Sequence, residues 1–397
     1  MMIKSGSDLH KDMMQWRHEI HTNPEIGFEE FKTAALVKQE LIKAGVEIVA
    51  EEMAVTGIVA VVHGSKGGSN KAIALRADMD ALPIHELTGL DYSSNTDGKM
   101  HACGHDGHTT MLLGAAKYLN EHNDFAGSVY FLFQPAEEGY GGARKMIEEG
   151  LFDKISIENV YGMHNWPGLE LGKFAVRGGP VMAAADQFDI TITGQGGHGA
   201  MPHTTIDAVI IATQLVNAFQ TIVARNVDPM DTAVLSVTKI HSGDAYNVIP
   251  EVANLAGTVR TFKEDVKQKI AKRMREICEG VAITHNAKID FDYRDGYPAT
   301  HNNQEQADFC QSVMEDLVGE ENVTTELNPS MGAEDFSYML QQKAGAYIMV
   351  GNGDSADLHN PYYNFNDEAL PVGSSYWVKL VQSALNKLVQ TDIDKPS

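Results

Sequence analysis

Short, continuous apolar segments constrain this chain more than any other feature. GIVAVVHG, KAIALRADM, GSVYFLFQ and NVYGMHNW are such segments. Helical patterns precede and separate them: FEEFKTAALVKQELIKAG, which stops at Gly45, then TTMLLGAAKYLNEH and ARKMIEEG. A strand without a polar face needs cover on both sides. The alternation therefore predicts an α/β architecture, with a mostly parallel mixed sheet covered by helices.

Near residue 185 the pattern changes. DQFDITITG alternates polar and apolar residues, as a half-exposed strand does. A long helical stretch follows, TIDAVIIATQLVNAFQTIVARN, with Thr205 as the expected N-cap. TAVLSVTKIHSG, EVANLAGTVRTF and AKIDFDYRDG read as further strands, and EDVKQKIAKRMREICEGV as a second helix. That order, β-α-β-β-α-β, is ferredoxin-like. After GYPAT the helix–strand alternation resumes. The expected organisation is a discontinuous main domain, residues 1–184 and 296–397, with an inserted α+β domain at 185–295. A length of 397 residues suits two cores better than one.

Composition excludes some functions. The formal net charge is -23, and runs of Lys and Arg are missing, so no nucleic-acid partner is expected. An anionic substrate would need local cations to capture it. The three cysteines, Cys103, Cys278 and Cys310, are too sparse and odd in number for a disulfide framework. The N-terminal stretch MMIKSGSDLHKDMMQW has no apolar leader core, and no apolar run reaches membrane-spanning length. A cytoplasmic protein without a membrane partner is the expectation.

The chemistry gathers where apolar strands give way to loops. In sheets of this kind the ligand site lies beyond the carboxyl ends of the strands. MHACGHDGH carries Cys103 and His105 on either side of Gly104, which permits a tight turn. Thiolate with imidazole suits zinc and its neighbours rather than calcium or magnesium. RADMDALP places Asp78 and Asp80 after another strand, where a carboxylate can bind metal, orient a ligating imidazole or cap a turn. QPAEEGYGG sets Glu137 beside Glu138, so one can bind metal while the other stays free as a base. His164 and His359 lie in YGMHNWPG and DLHNPYYNFNDE. Each signal alone is weak. Together they offer more ligands than one four-coordinate zinc with an open position can use, and they suit two metals sharing a water.

These stretches, with GQGGHGAMPH, MGAEDFSYM and HNPYYNFND, resemble the dinuclear metallo-amidohydrolases of the aminoacylase and zinc carboxypeptidase G type. The branch they resemble most holds hippurate hydrolases, N-acyl-amino-acid amidohydrolases, N-acetyl-diaminopimelate deacetylases and indole-acetyl-amino-acid hydrolases. The resemblance spans roughly residues 10 to 390 and implies Cys103, His105, Glu138, His164 and His359 as metal ligands. It implies Glu137 as general base and Asp80 as the aspartate orienting a ligand. It makes the inserted domain a lid and dimerisation domain, and brings His198 to a partner subunit's active site. Asn247 and Arg260 correspond to residues that hold the substrate carboxylate. Gly332 is read as allowing close approach of substrate, and His108 and His203 as structural.

The implied reaction is hydrolysis of an N-acyl amino acid to a carboxylic acid and a free amino acid. Two divalent ions (zinc, manganese, nickel or cobalt) would hold the attacking water, in a homodimer or homotetramer. Two rivals share the residues: a dipeptidase or carboxypeptidase of the same family, and a metal- or peptide-binding protein without catalysis.

Overall fold

The computed structural model describes residues 2–67 and 69–393. Two compact units divide the chain: residues 1–181, 301–328 and 335–397 form the first, and residues 182–300 with 329–334 form the second.

The first unit is built on an eight-stranded mixed sheet. At its centre Ser128–Gln134, Ala72–Asp78, Asn159–Pro167 and Ala344–Gly353 lie side by side and parallel. Every residue of Ala72–Asp78 is buried, as an apolar run covered on both faces should be. Gly57–His63 and Glu47–Met53 extend one edge antiparallel. The other edge carries two short strands, Phe174–Ala175 and Val323–Thr324. Glu47–Met53 had no apolar signal to betray it, because most of its residues face solvent. Helices Asp8–Thr22, His105–Glu121 and Ala369–Ile393 pack together, and the last two also meet the sheet.

The sequence reading of FEEFK as helix is corrected. Phe28 takes a left-handed backbone (φ +66°), Glu30 is the N-cap residue, and the helix spans Phe31–Lys43.

The second unit has four antiparallel strands in the order Ala233–Ser242, Val252–Thr261, Ala184–Thr193, Lys288–Tyr297. Helices Ala208–Asn226 and Glu264–His285 pack on this sheet and on each other, in the ferredoxin-like arrangement. Phe188, Ile190, Ile192, Leu215, Phe219, Ile270 and Met274 belong to its core. Thr205 is not the helix cap. Asp207 is, accepting the N–H groups of Val209 and Ile210, while the Thr205 hydroxyl donates to the Pro202 carbonyl at 2.8 Å. Among the described residues Ala208–Asn226 is the one helix long and apolar enough to cross a membrane. Its Ile211, Leu215, Phe219 and Ile222 are instead buried in the unit's core.

Candidate metal centre

Four parallel strands deliver the site. Ala72–Asp78 ends on Asp78, with Asp80 two residues on, and Ser128–Gln134 is followed by Glu137 and Glu138. His164 lies within Asn159–Pro167, and the loop after Ala344–Gly353 brings His359.

Cys103 stands in a turn, but His105 and His108 do not: they occupy the first turn of helix His105–Glu121. Gly104 makes the corner. Its φ is +89°, and a Cβ there would lie 2.3 Å from Asn165 Nδ2 and 2.5 Å from the Tyr363 hydroxyl. Those atoms hold the turn, because Asn165 Nδ2 donates to the Cys103 carbonyl and Tyr363 donates to Asn165 Oδ1, both at 2.7 Å.

Around that corner the candidate ligands converge. The ligand atoms of Cys103, His105 and His164 lie within 4.8 Å of one another, as do those of Cys103, Glu138 and His359, and of His105, Glu137 and Glu138. Cys103 Sγ is 3.4 Å from His164 Nε2. His164 donates from Nδ1 to the Asn165 carbonyl at 2.6 Å, which leaves Nε2 as its lone-pair nitrogen. His359 has a left-handed backbone (φ +63°) and donates its N–H to the Ala102 carbonyl at 2.8 Å, one residue from Cys103.

Asp80 organises two sides of the cluster. Its Oδ1 accepts the Glu137 N–H and its Oδ2 the Glu138 N–H, each at 3.0 Å, and Oδ1 lies 3.3 Å from His105 Nδ1. The adjacent glutamates point to different partners. Glu137, 6% exposed, accepts the Asp335 N–H at 3.4 Å, whereas Glu138 Oε1 faces His359 Nε2 at 3.2 Å. His108 is committed to structure: Nδ1 meets Asp78 at 2.6 Å and Nε2 accepts the Asn165 N–H at 2.9 Å.

This donor set fits divalent metal ions. His105 Nε2 is buried without a hydrogen-bond partner, which is unusual for a buried polar nitrogen that has no ligand to meet. Burial lifts the Cys103 thiol well above its ordinary range, and Glu138, Glu137 and Asp78 lift it further. A cation would reverse that push and favour the ligating thiolate. Burial drives His164 well below its ordinary value, so it is neutral and able to ligate. For His105 burial acts downward, but Asp78, Asp80 and Glu138 outweigh it and push it up to about 10. That is the electrostatic signature of a pocket with surplus negative charge.

His198, Asn247, Arg260 and Gly332 belong to the second unit. His198 is exposed, on a two-residue strand paired with Val248–Ile249, and the Asn247 carbonyl accepts the Gly199 N–H at 2.7 Å. Arg260 is half-buried and donates to Thr258 Oγ1 and to its neighbour's carbonyl. A Cβ on Gly332 would meet Met182 Cε at 3.0 Å and Ser330 Oγ at 3.2 Å, and both are flexible side-chain ends.

Sequence reasoning passed over three supports. Arg76 donates to Gln134, Asp78 and Asp335, and Asp335 also accepts the Ala143 N–H. An Arg inside an otherwise apolar strand was the available signal. Asp106 accepts from Arg17 and His21, tying helix Asp8–Thr22 to the turn beside His105. The third support is Glu30, which accepts the Ala136 N–H just before Glu137.

A family model described as Peptidase family M20/M25/M40 matches residues 74–383. The chain is 43% identical to hippurate hydrolase of Campylobacter jejuni over 96% of its length and 98% of the relative's. It is 36% identical to N-acetylcysteine deacetylase of Bacillus subtilis, over the same shares of the two chains. Among solved structures it resembles the Bacillus subtilis YXEP protein, a dinuclear metal binding peptidase from the M20 family. The TM-score is 0.83 at 34% identity, covering 95% of this chain and 99% of that one.

Proposed function

Because the chain belongs to the M20/M25/M40 peptidase family, a family of hydrolases, we propose that it cleaves the amide bond of N-acyl amino acids with two divalent metal ions. The observation that carries this reading is a set of five side chains of ligand type, gathered in overlapping groups within 4.8 Å, with one further buried carboxylate, Glu137, beside them. Cys103, His105, Glu138, His164 and His359 would hold the ions. Bound there, zinc, manganese, nickel or cobalt supplies Lewis acidity and makes a water more acidic.

Glu137 accepts the proton of the attacking water. The water oxygen bonds to the acyl carbon, the carbon–nitrogen bond breaks, and Glu137 returns the proton to the departing amine. Asp80 fixes the Glu137–Glu138 backbone and the His105 ring, so the base and two ligands are aimed together. In the second unit Arg260 and Asn247 hold the substrate carboxylate, for which a guanidinium fork is well shaped. His198 from a second copy stabilises the oxyanion, which makes the working unit a homodimer. Gly332 leaves room beside the substrate.

The test is amine release from N-acetyl-, N-benzoyl- and indole-acetyl-amino acids and from dipeptides, with each of the four metals reloaded separately. Cleavage of one acyl class identifies the pocket. Preference for dipeptides converts the reading to a peptidase with the same machinery.

A further inference from the structure

Glu30 is fully buried and far from the cluster in sequence, yet it grips the chain next to Glu137. Its Oε1 accepts the Ala136 N–H at 2.8 Å and its Oε2 accepts the Thr56 hydroxyl at 2.7 Å. Ala136 needs holding. Its φ is +59°, a left-handed conformation that an L residue with a Cβ rarely adopts.

The surroundings are strained in the same sense. Among the described residues seven non-glycine positions have positive φ, and five of them are Phe28, Glu52, Ala54, Val55 and Ala136. Four of those five lie within a few residues of Glu30 or of Thr56, the two side chains that meet here. The fifth is Ala136 itself. The packing is close: a Cβ on Gly27 would lie 2.8 Å from the Tyr140 ring and 3.0 Å from both Ala136 Cα and Cβ. On the far side of the turn, Gly142 donates its N–H to the Ala136 carbonyl at 3.0 Å. Replacing that glycine would bring a Cβ within 1.7 Å of the Pro135 carbonyl oxygen.

We propose that Glu30 is a positioning residue: by clasping Ala136 and Thr56 at once, it holds the left-handed turn that aims Glu137 at the reacting water and Glu138 at the metal. The inference rests on the amidohydrolase reading for the roles of those two glutamates. An acceptor, not a charge, is what the clasp uses. Burial in fact pushes the Glu30 carboxyl up to about 7, so ionising it here is costly. A glutamine supplies the same acceptor to Ala136 and can donate to the Thr56 hydroxyl in return.

The experiment compares full-length wild type with Glu30→Ala, Glu30→Gln and Gly27→Ala. It reads kcat and KM on the best N-acyl amino acid, and zinc affinity by competition with a chromogenic chelator. In Glu30→Ala, kcat falls about 10–100-fold with KM within about threefold, and zinc binds about 10–100-fold more weakly. Glu30→Gln stays within about threefold of wild type in all three. Gly27→Ala, which crowds Ala136 and Tyr140 and leaves Glu30 intact, lowers kcat in the same way. A folded Glu30→Ala with wild-type kcat and zinc affinity overturns the proposal, and so does a Glu30→Gln as impaired as Glu30→Ala. If wild type cleaves no N-acyl amino acid, the functional reading fails by itself. Zinc affinity then still decides the clasp: weakened in Glu30→Ala and rescued in Glu30→Gln upholds it, unchanged in Glu30→Ala refutes it.

Discussion

Asp80 accepts the Glu137 N–H at 3.0 Å with the same oxygen that lies 3.3 Å from His105 Nδ1. One carboxylate thus sets a backbone turn and an imidazole together. Removing it in Asp80→Ala releases both, and second-layer partners of metal ligands are typically worth about 10–100-fold. Zinc affinity and kcat should therefore fall together by about that factor. Loss of kcat alone would mean that Asp80 does not orient His105.

Glu137 and Glu138 are neighbours with separate assignments. Glu137→Gln should keep the metal stoichiometry of wild type and lose turnover by about 10²–10⁴-fold, the usual scale of general-base catalysis. Elemental analysis of the purified variant checks the first half and amine release the second. An active variant at full metal loading removes Glu137 as the base.

Gly104 combines a positive φ with a corner too tight for a Cβ. Gly104→Ala should cost roughly 1–3 kcal/mol from the backbone conformation alone, with the clash against Asn165 and Tyr363 added. Chemical denaturation measures the loss. Metal affinity should drop as well, since Cys103 and His105 lie on either side of the corner.

A pH dependence follows from His21, which is buried against Asp106 at 2.8 Å and Glu86 at 3.3 Å. Burial alone would lower its pKa, but these two carboxylates outweigh it and push it from 6.5 up to about 9. A raised folded-state pKa means the charged form stabilises the fold. That contribution is complete below about 6.5 and is lost as pH rises through about 9. The shift corresponds to stability on the order of 3 kcal/mol. Denaturant midpoints of wild type should therefore fall across this interval relative to His21→Gln, and parallel profiles would show that His21 is uncharged in the fold.

Much of the architecture was legible because burial leaves a plain record in sequence. Ala72–Asp78 and Ser128–Gln134 are mostly apolar on both faces since helices cover the sheet, and Ala184–Thr193 alternates since only one face of its sheet is covered. The gathering of Cys103, His105, Glu138, His164 and His359 was legible for a related reason: parallel strands deliver their loops to one end of the sheet. Single backbone decisions were not. Phe28 and Glu30 look helical by composition, yet the left-handed turn at Phe28 and the reach of Glu30 to Ala136 depend on contacts over a hundred residues away in sequence. Thr205 looks like a cap, but its hydroxyl closes the preceding turn and Asp207 caps the helix.

The proposed hydrolysis depends on metal held by this cluster. The direct measurement strips the protein with a chelator, then titrates zinc or manganese while following both bound metal and amine release from N-benzoylglycine and N-acetyl amino acids. Metal dependence requires no turnover in the stripped protein, and activity that grows with bound metal and levels off near about two ions per chain. Undiminished turnover without metal, or none at full occupancy on any acyl amino acid or dipeptide, would contradict it.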